Sequence, residues 1–253
     1  MYCQMATLQK AMRQFNNAAT TLAMRDFKEL EKIIEVKFKD KELLKQSVVH
    51  RSYLNEHPDF SLSHNERLEF LGDAVLELIV TENLFYRFPD TPEGILTAWR
   101  ASLVNAEMLA DISGELQIED FLYLSRGEAK DKNTKARRYI LANAVEALIG
   151  AIYLDQGTKV TEKFIKKRIL SKLDHILENE LYLDPKSRFQ EKAQELYGIT
   201  PHYKVLGESG PDHAKIFEIG LYLGEELVAK GKGSSKQEAQ VEAARKGLEK
   251  KDW

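Results

Sequence analysis

The stretch Asn65-Glu66-Arg67-Leu68-Glu69-Phe70-Leu71-Gly72-Asp73-Ala74-Val75-Leu76 decides how the larger part of this chain is read. At about 100° per residue, Glu66, Glu69 and Asp73 share one helical face, while Leu68, Leu71, Val75 and Leu78 mark another. Acids stacked on one face repel, by roughly 0.2–0.5 kcal/mol per pair. Such a stripe needs either open solvent or a cation. A second cluster, Asn143-Ala144-Val145-Glu146, sets a polar pair three residues apart within the apolar run from Ile140 to Leu154. An unpaired buried charge is too unfavourable to persist, so this pair has to be neutralised. Oxygen donors brought together from two buried helices suit Mg²⁺.

Outward from these two clusters the text stays helical. Phe27, Leu30, Ile33 and Ile34 form an apolar stripe, and Leu43, Leu44, Val48 and Val49 suggest a second helix. A long helix from Asn65 to Phe88 is stopped by Pro89-Asp90-Thr91-Pro92. One helix is expected from Glu93 through Ile112, with Gly114 as its C-terminal cap, and another from Val160 to Leu177. The basic segment Arg126 to Arg138 between them reads as a loop. No strand-like alternation intervenes, so residues 25–177 are expected to be an all-α domain, after an extension, 1–24, whose role is unreadable.

The texture changes after Asp184-Pro185. A helix to Tyr197 ends at Gly198, and extended runs follow at Tyr203–Leu206, Lys215–Tyr222 and Glu226–Lys230, separated by Gly and Pro turns. A last helix runs from Ser235 to Glu249, with Ser234 or Ser235 as its cap. The order α-β-β-β-α defines a small α+β domain, 185–253, and 178–184 is the expected linker.

Composition narrows the class without naming it. A 43% hydrophobic and 30% charged chain of 253 residues is neither disordered nor membrane-embedded, and no run approaches the length of a bilayer span. The single cysteine, Cys3, rules out an internal disulfide, which fits a cytoplasmic location. The net charge of −3 does not advertise nucleic-acid binding. Local placement does: Lys232, Gly233, Ser234, Ser235 and Lys236 lead into a helix N-terminus, whose free N–H groups attract phosphate. His50-Arg51-Ser52 reads as a helix-end packing cluster, and Glu77 as ordinary helix surface. Glu66 has a salt bridge to Arg67 or Arg100 open to it, or a place behind the other acids.

Taken together, the two acidic segments and the α-β-β-β-α tail resemble ribonuclease III over roughly Asp26 to Glu249. Asn65 to Leu76 is similar to that family's signature segment, and Ile140 to Ala151 to its second acidic motif. The resemblance implies an Mg²⁺-dependent endonuclease, a hydrolase that cuts double-stranded RNA as a homodimer with two composite centres. It implies two Mg²⁺ per centre, with Mn²⁺ as a substitute, and 5′-phosphate and 3′-hydroxyl ends. Ribosomal and messenger RNA precursors are the implied substrates. On the matching motif, Glu69, Asp73, Asn143 and Glu146 are the metal ligands. Asp73 also supports the attacking water, and Glu146 is essential to catalysis. Glu66 and Glu93 are secondary acids, and Phe70 plugs a socket on the partner subunit. Gln190, Glu191 and His213 are expected at RNA minor grooves, with Lys232, Ser234, Ser235 and Lys236 on phosphates between them.

Two positions depart from the family pattern. Asn143 stands where Asp is common; its carbonyl can still ligate a hard cation but brings no charge. Weaker Mg²⁺ binding is expected, and a dimer that binds double-stranded RNA without cutting it is the alternative. Gln237 stands where Lys or Arg is frequent, which implies fewer phosphate contacts.

Overall fold

The computed structural model describes residues 26–132, 134–211 and 215–253. The chain divides into two compact units between His175 and Ile176, slightly before the linker expected at 178–184.

The first unit is helical. Its elements are α1 (Phe27–Ile34), α2 (Lys41–Ser47), α3 (Arg51–Glu56), α4 (Glu66–Arg87), α5 (Glu93–Val104), α6 (Ala106–Glu115), α7 (Arg126–Lys130), α8 (Lys135–Gln156) and α9 (Thr158–Arg168), and the division falls within α10 (Leu173–Glu178). α4 and α8 are its central pair. α8 is buried almost all round from Ile140 to Ile152, which is why its sequence is apolar without a clear stripe. An isolated parallel bridge between Val49 and Tyr123 is the one extended pairing among the described residues of this unit.

The structure departs from five expectations. The helix expected from Glu93 to Ile112 is two helices, broken at Asn105. That residue is extended (φ −70°, ψ 160°), and its side chain accepts from Met108 N at 2.9 Å. An Asn that caps the next helix competes with the helix it would otherwise continue. Gly114 consequently lies inside α6, which ends against Leu116. The helix expected from Val160 to Leu177 is interrupted by a 3₁₀ turn at Leu170–Lys172, and Arg126–Lys130 is a short helix capped by Ser125, not a loop. Leu78, expected on the apolar inner face of α4, is 67% exposed, while Leu68, Val75, Leu76 and Ile79 are buried.

The second unit contains α11 (Pro185–Tyr197), strands β1 (His202–Ser209), β2 (Ile216–Leu223) and β3 (Glu226–Gly233), and α12 (Lys236–Lys251). The antiparallel sheet has order β1-β2-β3. Phe189 and Ala193 of α11, Ala243, Ala244 and Leu248 of α12, and Leu221, Leu223 and Val228 of the sheet share one core. Gly198 ends α11 in the left-handed conformation (φ 67°), as its position after Tyr197 predicts. β3 continues to Gly233, three residues past the run legible in the sequence, because Gly231 lets it lie directly on α12. A Cβ at Gly231 would stand 2.2 Å from the Ala239 carbonyl oxygen.

Candidate active site

The site is built where α4 crosses α8. A Cβ on Gly72 would stand 1.8 Å from the carbonyl oxygen of Glu146, and one on Gly150 would stand 2.2 Å from the carbonyl oxygen of Leu68. Two glycines, one per helix, therefore let the backbones touch. The pairing of Leu68 with Gly150 and of Gly72 with Glu146 makes the helices antiparallel. The acids flanking Gly72, Glu69 and Asp73, then face the polar pair that precedes Gly150, Asn143 and Glu146.

Electrostatics record the convergence. Burial pushes the Glu146 carboxyl up to about 7, and the nearby charges of Asp73 and Glu69 push in the same direction. Glu69 is also raised, by burial first and then by Glu66; a hydrogen bond with the Asn143 side chain opposes this, and Asp73 adds to the rise. Glu146 responds to Asp73 and Glu69, and Glu69 to Asp73 and Asn143, so these side chains lie near one another at the crossing. Among the described residues, no three His, Cys, Asp or Glu side chains are gathered closely enough to hold a metal ion as they stand. The donor set is nonetheless all oxygen, with carboxylates that burial and repulsion leave in need of positive charge. Its chemistry fits a hard divalent cation.

The surrounding acids sort themselves. Glu66 faces Arg51 at 3.5 Å and His64 at 3.7 Å. Its partners are therefore not Arg67 or Arg100 but residues of α3 and of the loop that leads into α4. Arg100 pairs instead with Glu77 at 3.0 Å, which leaves Glu77 a surface ion pair. Glu93 accepts from Thr97 Oγ1 at 3.0 Å and lines a cavity with Thr81, Phe85 and Leu96. Within one chain it joins none of the interactions of Glu69 or Glu146. His50 caps α3 by accepting from Ser52 N at 3.3 Å, in keeping with a packing role, and burial lowers its pKa.

Sequence reasoning missed Gly72 and Gly150 as the crossing point. The signal was present: each lies within an otherwise apolar helix, where glycine is disfavoured unless a backbone approaches closely. It also missed Asn65, whose buried side chain donates to the Ser47 carbonyl at 3.1 Å and ties the start of α4 to α2. Phe70 is 81% exposed, one residue from Glu69.

In the second unit, Gln190 and Glu191 are exposed on α11, and Lys232, Ser234, Ser235 and Lys236 are exposed where β3 meets α12. Ser235 is the cap, accepting from Glu238 N at 3.1 Å. Ser234 N, one residue before the cap, donates to the Glu238 carboxylate at 2.9 Å, which ties the turn to the first turn of α12. His213 lies outside the described residues, as does the extension 1–24.

A helical domain with acids gathered at a helix crossing, followed by this α-β-β-β-α module, is the architecture of a double-stranded RNA endonuclease, and the comparisons with known proteins agree. A Ribonuclease-III-like family model matches residues 40–173, and a double-stranded RNA binding motif matches 185–251. Ribonuclease 3 of Nitratiruptor sp. is 43% identical over 225 residues, covering 89% of this chain and 96% of that protein. Ribonuclease 3 of Carboxydothermus hydrogenoformans is 43% identical over 220 residues, covering 87% and 93%. The crystal structure of the ribonuclease III nuclease domain from Campylobacter jejuni is similar with a TM-score of 0.51 at 37% identity, covering 59% of this chain and 97% of that one. The chain belongs to the ribonuclease III family.

Proposed function

We propose that this protein hydrolyses double-stranded RNA as a homodimer, with Mg²⁺ at each centre, leaving 5′-phosphate and 3′-hydroxyl ends. The observation that carries the reading is the α4–α8 crossing, which sets Glu69, Asp73 and Glu146 within reach of one another's charge. Those three carboxylates and the Asn143 carbonyl would hold two divalent ions, with Mn²⁺ able to replace Mg²⁺. When bound, the ions supply activation of water and neutralisation of charge on the phosphate. Asp73, the most exposed of the acids, orients the attacking water. Glu146, whose carboxyl is pushed up to about 7 by burial beside Asp73 and Glu69, would need positive charge next to it to stay ionised. Glu66, held by Arg51 and His64, keeps Glu69 turned toward the crossing. Glu93 remains a candidate secondary acid at the edge of the groove.

The dimer reading rests on α4. Phe70, Ala74, Leu78 and Phe85 are exposed along one line of it, beside the acidic stripe. An apolar cavity of about 410 Å³, lined by Leu84, Phe85, Phe88 and Leu96 among others, opens at the far end of the same helix. Phe70 and Phe85 are fifteen residues apart, or roughly 22 Å along the axis. A second copy running antiparallel would seat its own Phe70 in this cavity and receive the first copy's in return, as a two-fold interface requires. The two acidic sites would then flank the seam, each to cut one strand.

The second unit binds the A-form duplex by shape. α11 presents Gln190 and Glu191 to a minor groove, His213 reaches a second, and Lys232, Ser234, Ser235 and Lys236 meet phosphates between them. Ribosomal and messenger RNA precursors are the substrates this chemistry serves, in the cytoplasm where they are made. Among the described residues, no helix is long and apolar enough to cross a membrane.

Incubation with a long RNA duplex tests the reading. Cleavage in Mg²⁺ but not in Ca²⁺, with 5′-phosphates and a short 3′ overhang, is expected. A duplex retarded but uncut in both would make the protein a binder only.

A further inference from the structure

Tyr139 lies on the working strip of α8 and has no part in the site so far. Between Ile140 and Ile152, only Leu141, Asn143 and Glu146 of that helix reach solvent even in part. At about 100° per residue, Tyr139 stands within roughly 40° of Asn143 and 20° of Glu146 around the axis. It is one turn nearer the N-terminus, about 6 Å from Asn143 along the helix. It therefore opens the same narrow line to solvent, and it is 50% exposed.

Its backbone is firmly held. Arg137 donates through Nη2 to the Glu128 carbonyl at 2.5 Å, and its own N–H donates to the capping Thr134 Oγ1 at 3.1 Å. Arg138 pairs with Glu107 at 2.6 Å and with Asp111 at 2.8 Å. A large aromatic side chain is thus presented from a rigid helix start, beside a site that has to grip a sugar-phosphate strand. Tyrosine has few torsions to freeze, a flat apolar ring and a hydroxyl that both donates and accepts. An A-form duplex displays ribose faces and 2′-hydroxyls along the shallow groove that such a site must address.

We propose that Tyr139 is a substrate-positioning residue. Its ring lies against the ribose one nucleotide from the scissile phosphate, and its hydroxyl hydrogen-bonds that sugar's 2′-hydroxyl. The inference rests on the nuclease reading of the α4–α8 site. It adds a contact that distinguishes RNA from DNA close to the reacting atoms.

The test uses the full-length protein, the variants Tyr139→Phe and Tyr139→Ala, and duplexes carrying a single 2′-deoxy nucleotide at each position flanking the cleavage site. On the all-ribose duplex, Tyr139→Phe loses roughly three- to tenfold in kcat/KM, the size of one neutral hydrogen bond. One 2′-deoxy position costs the unmodified protein the same factor and costs Tyr139→Phe nothing further. Tyr139→Ala loses more, with its Mn²⁺-induced rise in melting temperature unchanged. Additive losses at every position would overturn the hydroxyl contact. Unchanged kinetics in Tyr139→Ala would overturn the role altogether. If the unmodified protein cut no duplex, the nuclease reading would fall first and the inference with it.

Discussion

At the residue scale, Glu146 makes the clearest forecast. Its carboxyl sits near 7 in the folded chain, above the ordinary 4.5, because it is buried beside Asp73 and Glu69. The folded protein therefore holds this proton after the unfolded chain has released it. Stability from this group is complete below about pH 4.5 and is lost as pH rises through 7. Allowing for its partial exposure, the metal-free protein should lose roughly 1–3 kcal/mol between pH 5 and pH 8 from this carboxyl. Glu146→Gln should flatten that slope in denaturant melts done in chelator, and should bind duplex RNA without cutting it. Equal slopes would show that the carboxyl is not held among its neighbours. Asn143 works in the opposite direction, since its hydrogen bond favours the ionised form of Glu69. Asn143→Asp should lower the metal-free melting temperature at pH 8 and reduce the Mg²⁺ needed for half-maximal cleavage. An unchanged Mg²⁺ dependence would mean the missing charge is immaterial. Helical spacing put Glu69 and Asp73 on one face and Asn143 and Glu146 on another, and the resemblance to the family motifs joined the two pairs. The partners of Glu66 were not legible in the sequence, since Arg51 and His64 reach it through packing between elements.

The element scale turns on two glycines. Gly72→Ala pushes a methyl into the Glu146 carbonyl, and neither helix backbone can yield without moving the site. A loss of about 2 kcal/mol or more, together with loss of cleavage, is expected from melts and duplex assays. Gly114→Ala is the matched control: a Cβ there meets nothing within 4 Å, and Ala in a helix interior should stabilise by roughly 0.5–1 kcal/mol. Comparable effects at both positions would contradict the close crossing. The longer helices were readable from the apolar period, whereas the short α7, with no buried residue, was not. The breaks at Asn105 and at Leu170–Lys172 were not, because apolar periodicity continues across both while a side-chain cap or a 3₁₀ turn redirects the backbone.

For the whole molecule, the consequential surface is the line of α4 that none of the described residues covers. Its exposed Phe70 and Leu78 contradict a simple inward apolar face, and they make sense if a second copy supplies the missing partner. Leu78→Lys should shift the protein from dimer to monomer in sedimentation, and cleavage should fall with the dimer fraction. A monomeric native protein that cuts duplex RNA at full rate would refute this. The α-β-β-β-α order of the second unit was plain from turns and alternation, whereas the exact division between the units lay hidden in a short helix. The account as a whole requires that oxygens from two distant segments hold one divalent centre. Anomalous scattering from crystals grown with Mn²⁺ tests this directly. Peaks are predicted between the Glu69 and Glu146 carboxylates, and should vanish in Glu146→Gln. An active protein whose Mn²⁺ lies elsewhere, or whose peaks survive that substitution unchanged, would contradict it.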